Sequence, residues 1–245
     1  MTTSLLSSYK AKRLTGEIRY GKGKGRIAGK TTVKRELSFM RQLFNKAINE
    51  WDDDWGGYFK NNPLNPVRKV IRGVKDVERV RYVMPEEAQR LRFTIPAWIR
   101  PVVIVGCQTG LRVGNLVNLA TWEVDFHNDR INIVGEKMKN GKPFTMKITS
   151  VVKTTLMDVI RARKVVGPYI FCDAKGEPYS LRAVSMAFHR SCEKAGVKDL
   201  HFHDLRHDFA TLLVNSGATL YQVQHQLGQG DPRMHSGMLI SCPKT

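Results

Sequence analysis

A chain of 245 residues is long enough for one large or two modest domains, each able to bury its own core. With 40 Lys and Arg against 22 Asp and Glu it carries a formal charge of +18, an excess that implies an anionic partner, either nucleic acid or an acidic membrane surface. The most apolar segment, Ile95 to Gly106, contains Arg100 and Pro101 and is too short to cross a bilayer, so it is expected as a buried helix, and nucleic acid is the favoured partner, with no membrane expected. The N-terminus has no signal-peptide core, and Cys107, Cys172, Cys192 and Cys242 are scattered without paired spacing. A reducing, cytoplasmic setting is therefore expected, and a structural zinc site is not.

In chain order, Leu5 to Arg13 reads as a short helix, followed by the Gly- and Lys-rich run Tyr20 to Arg26, a loop that either touches phosphates through Lys22 and Lys24 or is simply solvated. Val33, Leu37, Met40, Leu43, Phe44, Ala47 and Ile48 recur at helical spacing and predict an amphipathic helix over 31–51, with Lys34, Arg35 and Arg41 toward solvent. The helical region is expected to end from Asn65-Pro66 onward, and the charged Lys75 to Arg81 reads as a linker, which puts a domain boundary near residue 80. Pro85 suits the first turn of a helix, with Glu86 and Glu87 favourable to its dipole. Strands are expected at 123–126, 130–134 and 143–149, with Asn140-Gly141 supplying a hairpin turn, and helices return at 151–164, 181–195, 205–215 and 220–227. The order helix, sheet, helix predicts an α+β fold, mostly helical with a small antiparallel sheet.

Four stretches carry chemistry: Thr109-Gly110-Leu111-Arg112; Lys139 opening Lys-Asn-Gly-Lys; His203-Asp204-Leu205-Arg206-His207; and Leu227-Gly228-Gln229. Each has a bland rival. Arg112 alone suits a helix start, His203 and Arg206 suit a capping region that also welcomes Asp204, and Lys137, Lys139 and Lys142 crowd one turn as any solvated lysines would. Their joint order and spacing resembles the tyrosine recombinase (phage integrase) family. The resemblance runs from about residue 4 to Met234 and implies two domains: a partial, helical core-binding (SAM-like) domain and linker over 1–80, and a catalytic domain over 81–245 that lacks its C-terminal end.

The resemblance also implies roles. Arg112 and Arg206 would clamp the extra negative charge of a phosphorane-like transition state, a task suited to planar, permanently charged, bidentate guanidiniums. Lys139 would protonate the leaving 5′-oxygen, His203 would accept or relay a proton at the nucleophile, and Gln229 would stand where the family usually has His or Trp. Asn115 stands where the family often has Glu. Lys22, Lys24, Lys34, Arg35, Lys137 and Lys142 are the further candidates for phosphate contact. The implied mechanism uses no metal or cofactor, because a 3′-phosphotyrosine conserves the energy of the broken phosphodiester. The implied partner is double-stranded DNA, bound by family members as homotetramers.

The nucleophile is the point of departure. The family places its tyrosine nine residues beyond the position of Gln229, at 238, and this chain has Met238. Tyr221, on the helix before Gln229, occupies a position the family uses for packing and is assigned no catalytic role. A family-like Met-Thr-Gln-Arg-Tyr-Ala-His-Leu written ATG ACA CAG CGG TAT GCT CAT CTC becomes, on loss of the A after ATG, Met-His-Ser-Gly-Met-Leu-Ile, which is the sequence from Met234 to Ile240. The tail therefore reads as frameshifted. The expectation is a site-specific recombinase by descent, monomeric, that binds DNA without its nucleophile. Two rivals are a non-catalytic DNA-binding regulator on the same fold and an RNA-binding protein; the latter would not require the arginine-histidine constellation.

Overall fold

The computed structural model describes residues 2–20, 27–50, 65–72, 74, 81–138 and 141–228. Two compact units divide the chain at residues 79 and 80.

In the first unit, α1 (Thr3–Thr15), α2 (Lys30–Glu50) and α3 (Val67–Arg72) pack around Leu6, Val33, Leu37, Val67, Val70 and Ile71. α1 starts where the Thr2 hydroxyl accepts the Leu5 N–H, and ends at Gly16 in the left-handed region. The apolar stripe foreseen on α2 is present, although Leu43 is exposed. α3 was not expected: six residues after Pro66 give no visible period, yet its valines and isoleucine are core. A buried Arg13 ties α1 to α2, gripping the Glu36 carboxylate with two donors while Tyr9 Oη donates to the same group at 3.0 Å. Glu36 is held below the usual carboxylate range by that Arg13 hydrogen bond.

The second unit is built around α5 (Arg100–Thr109), which packs on α7 (Ser150–Ala162) and α9 (Asp204–Asn215). α4 (Pro85–Thr94) lies against α8 (Leu181–Lys194), α6 (Val113–Val117) links α5 to α8, and α10 (Leu220–Leu227) packs on α9. α5 begins at Arg100, not Ile95: Pro96 and Pro101 interrupt the apolar run, Pro101 fits the first turn, and 95–99 form the turn that precedes it. Strands β1 (Val124–Asp125), β2 (Arg130–Ile133) and β3 (Phe144–Lys147) form an antiparallel sheet in sequential order, with Val124 opposite Ile131 and Ile133 opposite Phe144. Burial alternates along β2 and β3, so Ile131, Ile133, Phe144 and Met146 face the core. The β2–β3 connection is longer than a tight hairpin: a 3-10 turn occupies 135–137, and Asn140 lies outside the described residues. The chain is thus α+β, mostly helical with a small antiparallel sheet. No described helix is long and apolar enough to cross a membrane.

Candidate active site

The site begins with a glycine. α5 ends at Gly110 with φ of 61°, and a Cβ there would stand 2.5 Å from Phe209 Cδ1 and 2.7 Å from Leu227 Cδ2, so the chain can turn here only without a side chain. Thr109 Oγ1 donates back to the Val105 carbonyl at 2.6 Å, buried Leu111 pins the turn to the core, and Arg112 opens α6. The Thr-Gly-Leu-Arg box is therefore a rigid delivery of one arginine. Its guanidinium has no hydrogen bond or ion pair with any described residue.

Arg206, on the first turn of α9, is 4% exposed. It donates to the Gly110 carbonyl at 2.6 Å and to the Leu227 carbonyl at 2.9 Å. Both acceptors are neutral, and the second is the end of α10, where the helix dipole favours a cation. Three of the five guanidinium N–H donors bond no described residue. Burial, and then the charge of Arg112, push the Arg206 pKa down to about 9, so it stays charged at neutral pH with no carboxylate partner among the described residues.

His203 caps α9 and stacks edge-to-face with His207 one turn on, ring centroids 5.3 Å apart at 89°. Its pKa lies below the ordinary imidazole value, because of desolvation first and then the positive charges of His207, Arg206 and Arg112, against which Asp204 alone acts. Asp204 is buried and its Oδ2 accepts the His201 N–H at 2.7 Å. The described groups thus make a site in which Arg112 and Arg206 outweigh the one carboxylate, Asp204, an arrangement that an anion with tetrahedral oxygens relieves.

The hairpin side is held by Met138. Asn115 Nδ2 lies 3.4 Å from Met138 Sδ, and a Cβ on Gly228 would come 2.7 Å from Met138 Cε and 2.9 Å from Phe144 Cδ2. Met138, Asn115 and the end of α10 therefore meet at one place, next in sequence to Lys139 and Gln229. Lys139, Gln229 and Met238 themselves lie outside the described residues, as do Lys22 and Lys24. Of the remaining lysine candidates, Lys137 is engaged inside the fold: its ammonium pairs with the buried Glu123 carboxylate at 2.7 Å and donates to the Asn118 carbonyl at 2.9 Å. Lys142 is exposed ahead of β3; on α2, Arg35 is exposed and Lys34 half-buried, in the other unit. Tyr221, expected as packing, is 75% exposed on α10. Sequence reasoning missed His207 and Met138; the four-residue spacing of the two histidines on a helix was a signal for the first, and nothing local announces the second.

The profile of the Phage integrase family matches residues 80–236. The chain belongs to the phage integrase family. Among similar proteins of this family, the tyrosine recombinase XerC of Staphylococcus epidermidis is 28% identical over 207 residues, covering 81% of this chain and 67% of that protein. The XerC of Staphylococcus carnosus is 28% identical over 228 residues, covering 90% and 73%. The fold is that of a lambda integrase dimer bound to a COC' core site, with a TM-score of 0.73 at 21% identity over 97% of this chain and 64% of that one. It is also that of the Tn1549 transposon integrase in complex with a circular intermediate DNA, with a TM-score of 0.73 at 17% identity, covering 97% and 80%. This family member spans about two thirds of the length of the XerC of S. epidermidis and of the lambda integrase chain.

Proposed function

We propose that this chain serves site-specific DNA recombination by the tyrosine recombinase mechanism, as a member that grips duplex DNA and holds one phosphodiester between Arg112 and Arg206 but carries no nucleophile at position 238. In this reading residues 1–80 are core-binding, residues 81–245 are catalytic, and the setting is the cytoplasm. The observation that carries it is Arg206: a buried guanidinium bound by two neutral carbonyls, beside a second arginine with no partner among the described residues. Such a pair of like charges costs the fold free energy unless an anion completes it.

In the reaction, a tyrosine oxygen attacks the phosphorus, the 3′-phosphate becomes esterified to the protein, and the 5′-oxygen leaves with a proton. Arg112 and Arg206 stabilise the charge that builds on the non-bridging oxygens, His203 handles the nucleophile's proton, Lys139 is the acid for the leaving oxygen, and Gln229 hydrogen-bonds a phosphate oxygen through its amide. With Met238, whose thioether is no nucleophile for phosphorus, the clamp acts without the covalent step. Met238 also favours a second reading, a DNA-binding regulator on the same fold. The chain is monomeric in this proposal, because the tail after Met234 does not follow the family's wording.

The test is a suicide duplex carrying a family core site. The chain as it stands should bind it and form no covalent adduct, and Arg112→Gln should weaken binding about tenfold to a hundredfold, the loss of one or two charged hydrogen bonds. A covalent adduct mapped to any residue, or binding indifferent to Arg112, refutes the proposal. Restoring the frame after Met234 separates the two readings, since only a recombinase by descent then forms a 3′-phosphotyrosine.

A further inference from the structure

We infer that His203 and His207 form a proton-linked part of the anion site, so that a phosphate settling between Arg112 and Arg206 draws one proton from solvent onto the imidazole pair, and that His207 is a positioning residue that keeps His203 unprotonated until the phosphate arrives. The inference rests on the phosphate clamp proposed above.

The geometry carries it. His203 and His207 are one helical turn apart and in edge-to-face contact at 5.3 Å between centroids. The charged and titratable groups facing His203 are His207, Arg206 and Asp204 from α9 and Arg112 from the start of α6. Two of these are permanent cations and a third becomes one on protonation. The one carboxylate, Asp204, is buried and already accepts the His201 N–H. A proton on His203 therefore adds a positive charge beside two guanidiniums, and a positive charge on the adjoining ring opposes it. This agrees with the depressed pKa of His203. An anion between the guanidiniums lowers the positive potential at the rings, and a proton on the imidazole pair then costs less than it did in the empty site. By linkage, whatever raises proton affinity when anion binds must raise anion affinity when the proton binds.

Sulfate is the probe, because its charge does not change across the range in which imidazole titrates. Using the full chain with histidine imidazoles labelled for NMR, at constant ionic strength, His203 should titrate at higher pH in sulfate than in chloride. Sulfate affinity should fall about tenfold from about pH 5 to about pH 8, the equivalent of a rise of about one in the pKa of the bound form. Calorimetry in buffers of different ionisation heat should count up to one proton taken up per sulfate. In H207Q the free protein's His203 should titrate higher and the pH dependence of sulfate binding should shrink, an effect that loss of packing alone would not produce. The wild-type measurements decide the linkage even if H207Q unfolds. Sulfate binding that requires Arg112 but is independent of pH overturns the proton linkage and leaves the clamp standing. Sulfate binding that is indifferent to R112Q, or absent, overturns both.

Discussion

Replacing Gly110 with alanine perturbs the site at its hinge, and the structure sets the size of the effect. The residue sits at φ of 61°, where an L side chain costs about 1 to 2 kcal/mol. The new methyl would also stand 2.5 Å from the Phe209 ring and 2.7 Å from Leu227, and forcing a carbon into a filled core costs about 1 to 3 kcal/mol more. The total, about 2 to 5 kcal/mol, corresponds to a fall in Tm of about 5 to 15 °C for a unit of this size. Gly196 is the control: its φ is 67° and nothing lies within 4 Å of a Cβ built there, so Gly196→Ala should show the backbone cost alone. Thermal unfolding of both variants by circular dichroism measures the difference. Because Gly110 also offers its carbonyl to Arg206, the variant should lose sulfate-dependent stabilisation as well as intrinsic stability. Equal Tm values for Gly110→Ala and Gly196→Ala would refute the claim that close approach, and not the turn alone, requires glycine at position 110.

Binding to duplex DNA should weaken by roughly three to five orders of magnitude between about 50 and about 200 mM salt if six to ten phosphates are contacted, as read by fluorescence anisotropy; salt-independent affinity would contradict the electrostatic reading. Lys137→Met should lower Tm by about 5 to 10 °C by stranding the buried Glu123, whereas adding Glu123→Gln to it should restore most of the loss, so an unchanged Tm would return Lys137 to the surface contacts. Asp208 hydrogen-bonds the Val83 N–H beside a groove of about 960 Å³ lined by Leu91, Phe93, Cys107 and Leu212, and burial raises its pKa from 3.8 to about 6. A carboxylate raised in the folded state penalises folding once ionised: the penalty is absent below about pH 4, grows as pH rises, and is complete above about pH 6. Asp208→Asn should therefore stabilise the chain at neutral pH, by about 1 to 2 kcal/mol once solvent screening of the half-exposed group is allowed for, and leave it unchanged in acid. Denaturant titrations at the two pH values decide this, and a stabilisation that persists in acid would rule out ionisation as its cause.

The parts of this architecture that a reader of the sequence can find are those with a long period or strong punctuation. The stripe on α2, the Pro85 start with Glu86 and Glu87, and the ends of α8 and α10 all carry local signals, and the structure places them within a few residues of expectation. α3 and α6 escape because five or six residues hold less than two turns, too few for a period to emerge. The start of α5 was misplaced because an apolar run says what is buried and not where a helix begins; Pro96 and Pro101 decide that. At the site, the residue types and their order were legible, but their partners were not. That Arg206 bonds carbonyls 96 and 21 residues away, or that Lys137 is spent on Glu123, depends on contacts made only in the assembled core.

The reach of Arg206 has a consequence for the timing of synthesis. Its two acceptors lie 96 residues before it and 21 after it, so this residue cannot brace the Thr-Gly-Leu-Arg turn until the ribosome has passed Arg206, nor tie that turn to the end of α10 until it has passed Leu227. At roughly 5 to 20 residues per second, Gly110 waits about 5 to 20 seconds for its arginine to be made. A nascent chain held at that stage exposes Arg112 without its companion, and the capacity to hold a phosphate arrives late and all at once, as a property of the finished domain.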